Sequence, residues 1–167
     1  MWAAAGTSLW SLGGIPLSAT ARSVNTTGRP LICLVATAVG AVFLLTAVLG
    51  FVPGITTNLY DGLELAGHDG NAKLLGLFEV SVLLNIVHGL YGVAGLAMAR
   101  TAASARTYLI GGGVIYLVLW IYGLIIDQTS DANFVPLNDA DNWLHLGLGV
   151  GMIALGLVSG RTDSRRT

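Results

Sequence analysis

The sequence predicts an all-α membrane protein: four transmembrane helices forming two related two-helix units, with a pseudo-two-fold axis along the membrane normal. Three observations predict it. The chain of 167 residues is 54% hydrophobic and only 10% charged, far from the composition of soluble domains. Four stretches without Asp, Glu, Lys or Arg, at 31–52, 80–99, 107–126 and 142–160, each reach about 20 residues, enough at about 1.5 Å per residue to cross a hydrocarbon core of about 30 Å. The skeleton Asn-x-x-His-x-x-x-Gly-Val occurs twice, as Asn85, His88, Gly92 and Val93 and as Asn142, His145, Gly149 and Val150. Backbone polar groups in lipid must be satisfied within the segment, so each span is read as a helix.

Charge sets the expected orientation. Arg22, Arg29, Arg100, Arg106, Arg161, Arg165 and Arg166, seven of the eight basic residues, fall on one side of the four spans. That side is cytoplasmic by the positive-inside rule. Eight of the nine acids fall on the other side, with Lys73 alone among the basic residues. Both termini are therefore expected inside, and the two long loops outside, of a plasma membrane.

Residues 1–30 reach their first arginine only at position 22, the reverse of the charge order in a cleavable secretory signal. They read as a poorly ordered cytoplasmic arm. The four-helix domain is expected over 31–160, with spans at about 31–52, 80–99, 107–126 and 139–160, and a basic cytoplasmic tail over 161–167. The first span carries the single cysteine, Cys33, as a packing residue. It also has Ala36 and Gly40 four apart, suited to close helix approach, and ends before the breaker pair Pro53-Gly54. In the outer loop, residues 72–78 fit either an interfacial turn or an extension of the second span. Ser81 reads as a helix N-cap. Gly89, Gly92 and Gly95 behind it lower helix propensity and mark a face where backbones meet. The short basic loop to Arg106 turns the third span back beside the second, with Tyr116, Trp120 and Gly123 on one face. Pro136 keeps the preceding backbone out of helix, and Asn138 with Asp141 three residues later resembles a capping box with an acidic partner. Gly147, Gly149 and Gly151 follow as helix-packing positions.

The candidate site is the polar layer of Asn85, His88, Asn142 and His145, with Trp120, Tyr116 and Asp141 around it. Asn and His at i and i+3 share a helix face. Both His lie seven residues past their caps, about 10 Å below the outer helix ends. One reading makes them interhelical hydrogen-bond partners that fix register. A second makes His88 and His145 ligands of a haem or transition metal, and a third makes the layer a proton or small-solute path. Asp141, four residues before His145, either orients that ring or simply caps the helix. No Walker loop, HExxH motif or nucleophile elbow occurs, and no catalytic residue is assigned.

Several stretches resemble one family. They are Phe78-Glu-Val, Leu84-Asn-Ile-Val-His88 with Gly92-Val-Ala-Gly95, the run from Tyr108 to Gly113, and Val135-Pro-Leu-Asn-x-Ala-Asp-Asn-Trp-Leu-His145. With them the chain is similar, over about residues 31–160, to small bacterial four-helix integral membrane proteins grouped as a domain of unknown function. The resemblance implies topology and a plasma-membrane location, and it carries over no activity. The pattern favours Pro-Val-Asn where Glu79-Val80-Ser81 stands here.

The expected role is a structural or accessory membrane component without enzymatic activity. Its expected partners are the lipid bilayer and either further copies of itself or a larger membrane complex, with no nucleic acid. No cofactor is expected on that reading. Bound haem would give the purified protein a strong visible-region absorption band that vanishes in His88→Ala or His145→Ala. An ultraviolet-visible spectrum with elemental analysis separates the two.

Overall fold

The computed structural model describes residues 29–67 and 69–164. Four long helices carry the fold: α1 (Leu31–Leu49), α3 (Val82–Met98), α4 (Ala102–Ile125) and α5 (Asp139–Ser164). A short helix α2 (Leu59–Gly62) and three two-residue strands, β1 (Thr56–Thr57), β2 (Lys73–Leu74) and β3 (Phe78–Glu79), lie between α1 and α3. Three helices are long and apolar enough to cross a membrane: α1, α4 and the Asp139–Ser159 part of α5. The fourth, α3, is shorter at 17 residues, a rise of about 25 Å. Their outward faces are aliphatic, with Val42, Leu90, Val118 and Val158 each more than half exposed. A soluble protein would bury such faces, whereas lipid is a good solvent for them.

The helix ends follow from local chemistry. Ser81 caps α3 by accepting from the Leu84 N–H at 3.1 Å, and Thr101 caps α4 by accepting from the Ser104 N–H at 3.2 Å. That second cap lets α4 begin at Ala102, five residues before the charge-free stretch at 107. Conversely α1 stops at Leu49, short of Val52. Phe51 and Val52 donate back to Val48 and Leu49 at 3.0 and 3.1 Å, tightening the last turn. The Thr56 hydroxyl then takes the Leu49 carbonyl at 2.9 Å.

The segment expected as an interfacial turn or an extension of the second span is a small antiparallel sheet within a mostly helical fold. In the order β1-β2-β3, Thr56 faces Leu74 and Leu74 faces Phe78. Leu75 and Gly76 make the tight turn between β2 and β3, both at positive φ, which a helix extended through 72–78 could not accommodate. Ala72, Leu74 and Val80 give the sheet its own apolar cluster against Leu49 and Leu63. The Lys73 ammonium sits 3.8 Å from the Glu79 carboxylate across the ladder.

Packing is uneven among the helices: α1 lies mainly along α3, and α4 mainly along α5. Glycine permits each close approach. A Cβ on Gly40 would stand 2.9 Å from the Gly92 carbonyl oxygen, and one on Gly113 2.7 Å from that of Gly149. Gly95 receives the Tyr108 ring. The central core joins α1, α4 and α5 through Ile32, Ala36, Phe43, Tyr108, Leu109, Tyr116 and Met152, with Cys33 buried among them, and α3 packs against it through Tyr91 and Met98. Gly111 has no atom within 4 Å of where a side chain would begin. Gly113→Val should therefore destabilise the fold by about 3 kcal/mol through backbone displacement, while Gly111→Ala costs nothing. Thermal unfolding of the two variants in mild detergent checks the contrast.

Candidate functional site

The expected Asn and His layer divides into two sets with different surroundings. The Asn side chains seat on glycine at the far ends of the neighbouring helices. Asn85, 1% exposed, fills the space where Gly50 at the end of α1 has no side chain. Asn142 fills the same kind of space at Gly123 near the end of α4 and donates to the Gly123 carbonyl at 3.1 Å. The amides of Asn85 find no hydrogen-bond partner among the described residues. Neither Asn lines the central cavity.

The His side chains turn to the middle of the bundle. His88 stacks on Phe43 at 5.8 Å between ring centroids, Phe43 stacks on Tyr116 at 5.6 Å, and Tyr116 meets His145 at 5.2 Å. Tyr91 packs edge-on against Phe43 at 4.8 Å, closing the stack from the side. Such contacts fix ring planes and contribute about 0.5–1.5 kcal/mol per aromatic pair beyond burial. In both imidazoles Nδ1 is buried without a hydrogen-bond partner among the described residues. The interhelical bonding expected for the His is thus absent there, while Asn142 makes such a bond.

His88, Phe43, Tyr116 and His145 line the inner side of a cavity of about 460 Å³ between α1 and α5. Its walls are mostly apolar, with Val39 from α1 and Leu148 and Met152 from α5, and with Thr46 of α1 beside them. The β2–β3 hairpin covers its outer end through Leu74, Phe78 and Val80. Its mouth opens sideways: the lining residues Val42 on α1 and Leu144 and Leu155 on α5 are 59%, 40% and 43% exposed. Gly147 and Gly151, expected to pack helices, line this cavity and have no neighbour within 4 Å. Gly92, Gly95 and Gly149 do lie at tight contacts, and Gly89 makes an ordinary contact with Ala47.

Asp141 closes the outer corner as a cap. Its carboxylate accepts from the backbone N–H of Asn138 and of Glu79, both at 3.1 Å, and the Asn138 side chain accepts from the Asp141 N–H at 3.0 Å. Asn138 also donates to the Leu77 carbonyl at 2.8 Å. The capping residues thereby tie the start of α5 to the hairpin over the cavity. No hydrogen bond joins Asp141 to His145 among the described residues. Trp120 is half-buried away from the cavity and its ring stack. No group of three or more His, Cys, Asp or Glu among the described residues is placed to hold a metal ion.

Three contributors escaped the sequence reading. Phe43 carried no polar signal, the hairpin needed long-range pairing to be seen, and Asn133 looked like one more loop residue. Asn133 is fully buried and pins the loop before α5, donating to the carbonyls of Gln128 and Leu137 at 3.0 and 3.1 Å and accepting from the Leu137 N–H.

The family described as Domain of unknown function (DUF4383) matches residues 34–158. The chain belongs to this family. The match takes in both His, both Asn and the whole hairpin, so the cavity lies inside the DUF4383 region. No curated protein and no solved structure matches the chain.

The two Asn predict different costs. Asn142→Ala removes a buried hydrogen bond and should destabilise by about 1–2 kcal/mol. Asn85→Ala removes an amide with no partner and should cost less. Parallel thermal denaturation of the two variants in detergent tests the order.

Proposed function

We propose that the protein is an integral membrane accessory component with four spans and both termini in the cytoplasm. Its two related two-helix units, α1 with α3 and α4 with α5, enclose a polar site between them. The observation that carries this reading is the recurrence of the same contacts in both units. Gly40 against Gly92 corresponds to Gly113 against Gly149, Asn85 on Gly50 to Asn142 on Gly123, and His88 on Phe43 to His145 on Tyr116. The first-helix partners are separated by one constant offset in sequence and the second-helix partners by another. That is what two copies whose internal loops differ in length produce, the connection from α1 to α3 being longer than that from α4 to α5. With an even number of spans in each unit, the units run parallel, related by an axis along the membrane normal.

The short α3 fits a fourth span because Glu79, Val80 and Ser81 prolong it with extended chain at the outer surface, where the hairpin satisfies the backbone. The arginines at the α3–α4 turn support cytoplasmic placement of that end. Within this frame the Asn seats serve the fold and the His pair is left for function. The cavity supports occupation by a small molecule over catalysis: it holds no residue group resembling a nucleophile with its base. Haem or metal ligation by His88 and His145, and a proton or solute path through them, gain no comparable support. Beyond the His pair the cavity walls are Val39, Leu148, Met152 and Leu155, which offer no onward polar step.

Orientation is directly testable. In a Cys33→Ala background in sealed right-side-out vesicles, Asn71→Cys and Asp131→Cys should react with an impermeant maleimide at once, and Thr167→Cys only after permeabilisation. Labelling of Thr167→Cys from outside would overturn the proposed topology.

A further inference from the structure

We infer that the lateral cavity binds a lipid-soluble, uncharged molecule with a flat, carbonyl-bearing head of the quinone type. The head rests against Phe43 and Tyr116 and is hydrogen-bonded by His88 and His145, and the apolar chain leaves between α1 and α5. This rests on the membrane-embedded reading above and names the class of ligand for the same site.

Size, surface and charge each narrow the class. A cavity of about 460 Å³ falls within the usual range for small-molecule sites, about 300–1,000 Å³, and it opens at Val42 and Leu155 toward what would be lipid. Its polar groups are the two imidazoles, the Thr46 hydroxyl, which is spent on the Val42 carbonyl at 3.0 Å, and Glu79 and Asp141 at the outer end. His145 is 6% exposed, both imidazoles line the cavity, and the Nδ1 of each is buried without a hydrogen-bond partner among the described residues. A neutral imidazole offers one donor and one acceptor, and leaving these unpaired in an apolar interior is costly. A ligand head lying in the cavity against the Phe43 and Tyr116 stack pairs with the imidazole edges that line it. The face of the Phe43 and Tyr116 stack favours a planar head.

Charge excludes the other common amphiphiles. No Lys or Arg among the described residues lines the cavity, and Glu79 and Asp141 stand at its outer end, so a carboxylate or phosphate head would be repelled. Those two acids create no demand for a cation either. Glu79 is paired with Lys73 at 3.8 Å, and Asp141 is held by two backbone N–H groups. The unpaired groups are the imidazoles, which suit an uncharged hydrogen-bonding head.

The test uses the full chain in phosphatidylcholine vesicles and a photoreactive benzoquinone carrying a ten-carbon chain, with labelled peptides mapped by mass spectrometry. Labelling should saturate at one site, fall on α1 and α5 around the cavity, and be displaced by excess unlabelled decylbenzoquinone but not by decanoate. His145→Leu should weaken competition about tenfold, the equivalent of one net hydrogen bond, with His145→Gln retaining more of it. Leu144→Trp, which fills the mouth and leaves the His pair intact, should abolish saturable labelling. Unsaturable labelling spread over the outer helix faces overturns the proposal, as does equal displacement by decanoate or decane, which marks simple filling by an acyl chain. Release of the chain from vesicles by alkaline carbonate would sink the membrane reading as well, so the two failures are distinguishable.

Discussion

An asparagine amide seated in the gap left by a glycine, at the end of the helix beside it, sets the geometry from which the rest of the structure follows. At Gly50 and at Gly123 any side chain would collide with the Asn85 or Asn142 amide. The outer ends of α1 and α4 are thereby held against α3 and α5. Glycines one to three turns further in allow the same helices to touch backbone to backbone. In lipid there is no hydrophobic gain from burying one aliphatic face against another, so association rests on such close packing and on interhelical hydrogen bonds. Each pair of helices is locked by its own contacts. The space between the pairs is left to the ring stack and the cavity.

That division explains why the His are placed as they are. With the amides turned to the neighbouring helix, each imidazole three residues further on points toward the bundle centre, where Phe43 and Tyr116 hold its plane. The hairpin of β2 and β3 closes the outer end, and the cap formed by Asn138 and Asp141 fastens that lid to α5 through Leu77 and Glu79. A carboxylate that satisfies two backbone donors there is a joint between elements. The proximity of Asp141 to His145 along the helix does not make it a partner of that ring.

Much of this was legible in the sequence, for physical reasons. Long charge-free runs and capping residues such as Ser81 and Asn138 report local chemistry, and they mark the helices with end errors of a few residues. Those errors arose where a side chain outside the charge-free run acts: Thr101 extends α4, and the Thr56 hydroxyl helps end α1 early. The repeated Asn and His pointed to four side chains that the fold places at helix contacts and beside the cavity. Their division could not be read, because positions i and i+3 differ by about 60° around a helix, enough to send one to a neighbouring helix and the other to the centre. Gly147 and Gly151 resembled packing glycines because sequence cannot tell a face turned to a helix from one turned to a cavity. The hairpin was hidden because two-residue strands have too short a pattern to show alternation.

The central claim is that the Asn side chains serve the fold while the His pair, stacked at the bundle centre, keeps a buried Nδ1 in each ring without a partner among the described residues. Nitrogen-15 spectra of histidine-labelled protein in lipid nanodiscs, assigned with His88→Gln and His145→Gln, read this directly. The account predicts that His88 and His145 are neutral, each with a ring nitrogen that shows no hydrogen bond in protein freed of small lipid-soluble molecules. Resonances showing both nitrogens of each ring hydrogen-bonded to protein groups would contradict it and return the pair to the role of interhelical struts.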